Sequence, residues 1–105
     1  MSDVEITVVA GTFQARSGSE AGLAAVLARY VVLTRSVAGC RNVDLVASTS
    51  QAGRFLLVEK WDDADAQRDH LNGDVMVTMA TEATTMLAEP PDLDLYGVIS
   101  AHDLE

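Results

Sequence analysis

The sequence predicts a single α+β domain over residues 1–105, in which a four-stranded antiparallel sheet carries helices on one face. Three observations predict this fold. The chain has 105 residues, of which 49% are apolar, as suits one globular domain. Short runs rich in β-branched residues alternate with stretches of helical periodicity, in the order β-α-β-β-α-β. The two middle strands are joined by a tight turn, which makes them antiparallel neighbours.

The first strand and the first helix come from the N-terminal third of the chain. Residues 4–13 (VEITVVAGTF) are rich in β-branched side chains, which is typical of a strand. The segment Ser17-Gly18-Ser19-Glu20 has the form of a capping box, in which Ser17 and Glu20 cap each other's backbone amides. Gly39 ends the helix that follows, because glycine readily adopts the left-handed conformation. The apolar face of this helix comprises Leu23, Val26, Leu27, Tyr30, Val31, Thr34 and Val37.

The next two segments form a hairpin. Residues 42–50 (NVDLVASTS) place Val43, Leu45 and Ala47 on one side, as in a half-buried strand. Residues 54–61 (RFLLVEKW) form the next strand. Residues 51–53 (QAG) are the tight connection between the two.

The second helical region is divided in two. Asp62 and Asp63 are helix-start residues, so a short helix is predicted over 63–71, with a break at Asn72-Gly73. Asp74 caps a second stretch, and Pro90-Pro91 prevents its continuation. Its apolar positions are Met76, Met79 or Ala80, Ala83, Met86 and Leu87. Residues 93–101 (LDLYGVISA) alternate and close the chain as a strand, which completes a ferredoxin-like arrangement.

Both faces of the predicted sheet are apolar, which favours a homodimer. In residues 54–61, Phe55 and Leu57 point to one face, whereas Leu56 and Val58 point to the other. The helices can cover only one face, so a second copy would cover the other and close a dimeric α+β barrel. The alternative is a monomer with a few exposed apolar residues, which are common on protein surfaces.

Charge and cysteine content exclude several classes of partner. The net charge is −9, from 16 acidic and 7 basic residues, which disfavours nucleic acid and anionic membranes as partners. No apolar run is long enough to span a membrane, and the N-terminus does not resemble a secretory signal. Cys40 is the one cysteine and cannot form an internal disulfide, so a reducing, cytoplasmic location is predicted. No Cys/His cluster predicts a zinc site.

The stretch from Arg54 to Leu71 carries a family resemblance. Its apolar strand ends in Glu59-Lys60-Trp61, and its short helix ends in His70-Leu71. This pattern is similar to the central signature of the antibiotic-biosynthesis monooxygenase domain, and residues 37–40 (VAGC) resemble the turn that this family places before its second strand. The resemblance spans most of the chain. It implies a dimeric α+β barrel and, for some members, oxidation of phenols or quinols by molecular oxygen without metal, flavin or haem.

Three residues are candidates for catalysis. His70 is the candidate base, because the unperturbed pKa of histidine is near neutral and the residue lies beside a break between helices. The alternative is a helix-terminal histidine that stabilises the last carbonyls. Trp61 either stacks on an aromatic substrate or packs in the core. Glu59 lies on the apolar face of its strand and needs a partner, for which an arginine at a dimer contact is favoured.

Four further residues are candidates for substrate binding: Tyr30, Asn72, Met76 and Met79. The Tyr30 ring belongs to the core, and its hydroxyl can reach a cavity. Asn72 either orients a substrate oxygen or serves as an ordinary turn residue. The methionines belong to the core or shape an adaptable pocket. Cys40 is interpreted as structural and His102 as exposed.

Three functions are compatible with this pattern. The first is a monooxygenase that needs no cofactor or metal and acts on a small aromatic or polyketide-like molecule. The second is a non-oxidative isomerase or lyase that uses His70 and Glu59 as an acid–base pair. The third is a dimeric module that binds a small molecule without turnover.

Overall fold

The computed structural model describes residues 6–100 and has the predicted order of elements. The strands form one antiparallel sheet in the order β2-β3-β1-β4, so the ferredoxin-like fold is confirmed. No helix within residues 6–100 is long and apolar enough to cross a membrane. The elements are β1 (Thr7–Gln14), α1 (Glu20–Thr34), β2 (Cys40–Ala47), β3 (Arg54–Trp61), α2 (Ala64–Leu71), α3 (Asp74–Ala83), a 3₁₀ turn (Thr84–Met86) and β4 (Asp92–Gly97). The predictions that concern Val4, Glu5, Ala101 and His102 lie outside the described residues.

Helix α1 supplies most of the helical side of the core. Six of the seven residues predicted for its apolar face are buried, and they pack with Phe13, Val43 and Leu57 of the sheet. The seventh, Val37, lies beyond the end of the helix and is half-buried. The helix ends earlier than predicted because the amides of residues 36 and 37 bond to carbonyls three residues back, in a tighter turn.

The predicted capping box at the start of α1 is wrong. Gly18 has φ +93°, which a right-handed helix cannot accommodate, so the helix begins at Glu20. The Glu20 carboxylate accepts a hydrogen bond from the Gly18 amide at 2.9 Å, and the N-cap residue Ser19 makes no side-chain cap. Ser17 is therefore not the cap.

The helix-start predictions for α2 and α3 differ in outcome. Asp63 is the N-cap of α2, and its carboxylate accepts a hydrogen bond from the Ala66 amide at 2.9 Å. Gly73, rather than Asp74, is the N-cap of α3. Asp74 is instead the first helical residue, where a carboxylate is favoured by the positive end of the helix dipole.

The outer strands are shifted from their predicted ranges. Strand β2 begins at Cys40 and ends at Ala47, because the Ser48 hydroxyl accepts the amides of residues 50 and 51 and forms the turn there. Strand β4 ends at Gly97, which pairs with Thr7, the first residue of β1.

The sheet has one face covered by helices and one open face. The covered face carries alternate residues of β3, from Phe55 to Trp61, all buried. The open face carries the other set, in which Val58 lies opposite Ala10, and Leu56 lies opposite Val46. Leu56 and Val46 are exposed in the single chain, so apolar side chains lie on both faces, as the sequence predicts, with Asp44 beside Val58 on the open face.

Gly39 should tolerate no side chain. Its φ is +85°, and an added Cβ would lie 2.5 Å from the Cβ of Ala66 on α2. Gly39→Ala should therefore cost clearly more than the roughly 1–2 kcal/mol that left-handed backbone alone costs a non-glycine residue. Gly18→Ala is the matched control, because φ is +93° there and nothing lies within 4 Å of the added Cβ. Urea unfolding measures both, and equal losses would contradict close packing of the turn on α2.

Candidate active site

Four of the sequence-predicted site residues meet inside one chain, at one end of the covered sheet face. Glu59 and Trp61 are two residues apart on β3 and so share a face. Tyr30 comes from the middle of α1, and His70 comes from the last turn of α2. The exposed fractions are 2% for Tyr30, 2% for Glu59, 0% for Trp61 and 4% for His70. These four side chains form the buried cluster.

Both carboxylate oxygens of Glu59 are occupied. The Tyr30 hydroxyl donates a hydrogen bond to Oε2, and the Trp61 indole Nε1–H donates to Oε1 at 2.9 Å. Within residues 6–100, therefore, Glu59 is partnered by a tyrosine and a tryptophan and by no arginine. The carboxylate points into the core beneath α1, where two neutral donors of the same chain satisfy it.

The hydrogen bonds assign the tautomer of His70. Its Nε2 lies 2.7 Å from the Tyr30 hydroxyl oxygen. Because the single hydroxyl proton of Tyr30 goes to Glu59, that oxygen is an acceptor towards His70, and Nε2 carries the proton. In the neutral ring the lone pair is then on Nδ1. The Trp61 ring packs on the imidazole with centroids 4.6 Å apart, which fixes the ring from a second side.

The surroundings set the charge states of the cluster. Burial lowers the pKa of His70 below its usual value near 6.5, and the charge of Glu59 opposes this shift without reversing it. His70 is therefore neutral at pH 7 and can accept a proton. Burial, and then the charge of Glu59, raise the pKa of Tyr30 far above its ordinary value. The Tyr30 hydroxyl therefore keeps its proton and remains a donor to Glu59.

His70 is the member of the buried cluster that reaches a cleft. The cleft has a volume of about 570 Å³ and lies between the α1–β2 turn and the α2–α3 corner. Nδ1 of His70 makes no hydrogen bond within residues 6–100, and it is not among the fully enclosed side-chain atoms that lack a partner there, so it is accessible rather than enclosed. A proton acceptor thus faces the cleft, with a tyrosine and a carboxylate behind it.

The other predicted substrate-binding residues lie elsewhere. Asn72 is the C-cap of α2, and its amide donates to the Arg68 carbonyl at 3.2 Å. Met76 and Met79 line a separate, mostly apolar pocket of about 150 Å³, between α3 and the β1–β4 side of the sheet. The structure therefore brings Tyr30, but neither methionine, to His70.

The sequence analysis missed the charge of the cleft. Five aspartates contribute to its lining, and the density of aspartate between residues 62 and 74 is the signal that could have indicated it. Burial raises the pKa of the Cys40 thiol, which opposes formation of a nucleophilic thiolate. Among residues 6–100, no group of three or more His, Cys, Asp or Glu residues is placed to hold a metal ion.

Comparisons with known proteins agree with this architecture. The family model described as "Antibiotic biosynthesis monooxygenase" matches residues 6–82. A protein from Nitrosomonas europaea with the name "putative antibiotic biosynthesis monooxygenase" is 15% identical, with a TM-score of 0.86 over 94% of this chain and 95% of that one. One of the same name from Deinococcus radiodurans is 23% identical, with a TM-score of 0.84 over 94% and 98%. A protein from Shewanella oneidensis is 25% identical, with a TM-score of 0.84 over 91% and 93%. Curated protein sequences give no significant match.

Proposed function

The chain belongs to the antibiotic biosynthesis monooxygenase family, and from this membership we propose that it oxidises a small phenol or quinol with molecular oxygen. The observation that carries the proposal is His70, a neutral imidazole whose free Nδ1 faces the cleft. Neither metal nor organic cofactor takes part in the proposed reaction, because an ionised phenol is itself the electron donor. The substrate must therefore lose a proton before oxygen reacts, and a base of nearly neutral pKa serves this step.

The proposed steps balance without an external reductant. His70 Nδ1 takes the proton of the ring hydroxyl, and the phenolate gives one electron to oxygen. The two radicals combine at a ring carbon that carries hydrogen, and the proton on His70 returns to the peroxide. Loss of water then leaves a quinone. One oxygen atom enters the product and the other leaves as water.

The buried cluster supports the proton transfer. When Nδ1 accepts a proton, the positive imidazolium donates through Nε2 to Tyr30, whose hydroxyl is bonded to the Glu59 carboxylate. A negative charge behind the ring favours the charged form of the base. Tyr30 and Glu59 are positioning residues in this scheme, because neither lines the cleft.

Oxygen uptake by metal-free protein tests the proposal. We expect uptake with some members of a panel of phenols and hydroquinones, and one labelled atom in the quinone formed under oxygen-18, above the autoxidation seen without protein. Turnover of a carbonyl or lactone substrate under nitrogen would instead support an isomerase or lyase. Binding without turnover across the panel would support a ligand-binding module and overturn the enzymatic proposal.

We also propose that two copies pair through the open sheet face. Val58, Leu56 and Val46 form an apolar strip there that no helix within residues 6–100 covers. Stacking two such faces would bury the strip and form the barrel that the sequence predicts.

Light scattering during gel filtration tests the dimer. The wild type should have twice the mass of one chain, and Leu56→Lys should be monomeric because it places a charge on the open face. Val77→Lys is the matched control, since Val77 is similarly exposed but lies on α3. A monomeric wild type, or equal effects of the two substitutions, would contradict pairing through this face.

A further inference from the structure

The charged side chains that line the cleft in front of His70 are all acidic. The lining includes aspartates from the β3–α2 junction, from α2 and from the start of α3, and residues 6–100 contribute no Lys or Arg to it. Apart from His70, which is neutral at pH 7, the ionisable lining residues are Asp62, Asp63, Asp65, Asp69 and Asp74.

Two of these carboxylates have no partner of their own. Asp62 is bonded to Arg41 and Asp65 to Arg68, each at 2.9 Å. Asp63 caps α2. Asp69 and Asp74, in contrast, have no side-chain hydrogen bond or ion pair to any residue between 6 and 100. The turn at the α2–α3 corner, where the Gly73 amide bonds to the His70 carbonyl, brings both to the same cleft as the base.

A second observation indicates that this cleft takes a ligand with a polar hydrogen. His70 has an exposed fraction of only 4%, yet its Nδ1 has no partner among residues 6–100. An acceptor that opens to a cleft and that no residue of the chain occupies is suited to a donor supplied by a bound molecule. The ligand hydroxyl that the proposed function requires would be that donor.

The charge of the cleft conflicts with an uncharged or anionic phenol. Transfer of the phenol proton to His70 creates a phenolate and an imidazolium, and the two unpaired carboxylates disfavour the phenolate although they favour the imidazolium. A positive group on the same molecule would remove the conflict. We propose that the ligand is a phenol with a protonated amine, whose hydroxyl faces His70 Nδ1 and whose ammonium group lies against Asp69 and Asp74. The inference about the hydroxyl rests on the proposed function, whereas the preference for a cation does not.

Binding of three matched compounds tests this inference independently of turnover. Tyramine, 4-ethylphenol and 3-(4-hydroxyphenyl)propionate have similar rings and carry a positive, zero and negative charge at pH 7. Trp61 is the only tryptophan and packs on His70, so its fluorescence, read under nitrogen, reports on the cleft. We expect tyramine to bind about tenfold more tightly than the propionate, as two exposed charge pairs would give. Added salt should reduce the difference.

Variants that neutralise one carboxylate test which residues cause the preference for a positively charged ligand. Asp69→Asn and Asp74→Asn should each weaken tyramine binding by a few-fold, leave 4-ethylphenol unchanged and strengthen propionate binding. Glu89→Gln is the control, because it makes the same change in net charge outside the lining of the cleft. The backbone amide signals of Asp69 and Gly73 give a second readout by NMR.

The outcomes separate this inference from the proposed function. Equal affinity for the three compounds, equal effects of the three variants, or no NMR shift with millimolar tyramine would overturn the cationic ligand. None of these results would conflict with oxygen uptake on a neutral phenol. Conversely, tyramine binding that depends on Asp69, without oxygen uptake, would support the charge preference while contradicting the oxygenase.

Discussion

Replacing Glu59 with leucine should lower the free energy of unfolding by about 2–5 kcal/mol, although it removes a buried charge. The carboxylate accepts from the Tyr30 hydroxyl and from the Trp61 indole, and both donors are fully enclosed. Leucine would remove the acceptor of both donors, each at a cost of about 1–3 kcal/mol, and the Tyr30 hydroxyl would regain an acceptor only if His70 changed to its other tautomer. Glu59→Gln should cost less, because its amide oxygen still accepts from one of them. Urea unfolding of the three proteins measures the differences.

A double-mutant cycle with Tyr30→Phe separates this network from general loss of packing. Tyr30→Phe removes one of the two donors while keeping the ring in the core. The combined Tyr30→Phe/Glu59→Leu variant should therefore be more stable than the sum of the single losses implies. In that variant leucine leaves only the Trp61 indole without a hydrogen-bond acceptor. Additive losses would show that the Tyr30–Glu59 bond contributes nothing specific.

The sequence predicted the fold well because the fold depends on local patterns. The alternation in residues 54–61 placed Glu59 and Trp61 on one face, and the periodicity of α1 placed Tyr30 on the buried side. Helix ends were less predictable, since they depend on backbone angles such as φ +93° at Gly18. A capping motif in the sequence does not reveal that a glycine inside it has left the helical region.

The partners inside the site could not be predicted in the same way. Tyr30 and His70 are 40 residues apart, and their contact depends on how α1 and α2 pack together over β3. A buried carboxylate needs a partner, and an arginine was the partner that charge suggested for Glu59. The sequence does not show that two neutral donors would both bond to it. The unpaired state of Asp69 was hidden for a related reason. It depends on where the arginines lie in the folded chain, where Arg41 and Arg68 pair with other aspartates of the cleft.

Replacing His70 with glutamine should lower kcat/KM for the substrate identified by oxygen uptake by a factor of about 10²–10⁴, the usual contribution of a general base. Glutamine can still donate a hydrogen bond towards Tyr30, but it cannot accept a proton near neutral pH. Loss of the histidine should therefore affect the rate more than the stability, and the urea midpoint of His70→Gln should be close to that of the wild type. The same oxygen electrode assay measures the rate of both proteins.

The pH dependence distinguishes a base from a structural histidine. Burial lowers the pKa of His70 and Glu59 only partly offsets this, while Tyr30 stays protonated and the cleft aspartates face the ring from outside. Below pH 6.5, therefore, wild-type kcat/KM should fall as the pH drops through the lowered pKa. The low residual rate of His70→Gln should not change in that range.

Stability should follow the same titration, with a sign that the pKa shift fixes. Because the folded-state pKa lies below the unfolded value near 6.5, the unfolded chain binds more protons between the two. The free energy of unfolding should then decrease on acidification through this window, by at most about 1.4 kcal/mol per pH unit, and the His70→Gln variant should lack this component. If the variant kept both the wild-type rate and its pH profile, the base would have to be another residue. Loss of rate with no change in the pH dependence of stability would contradict the depressed pKa instead.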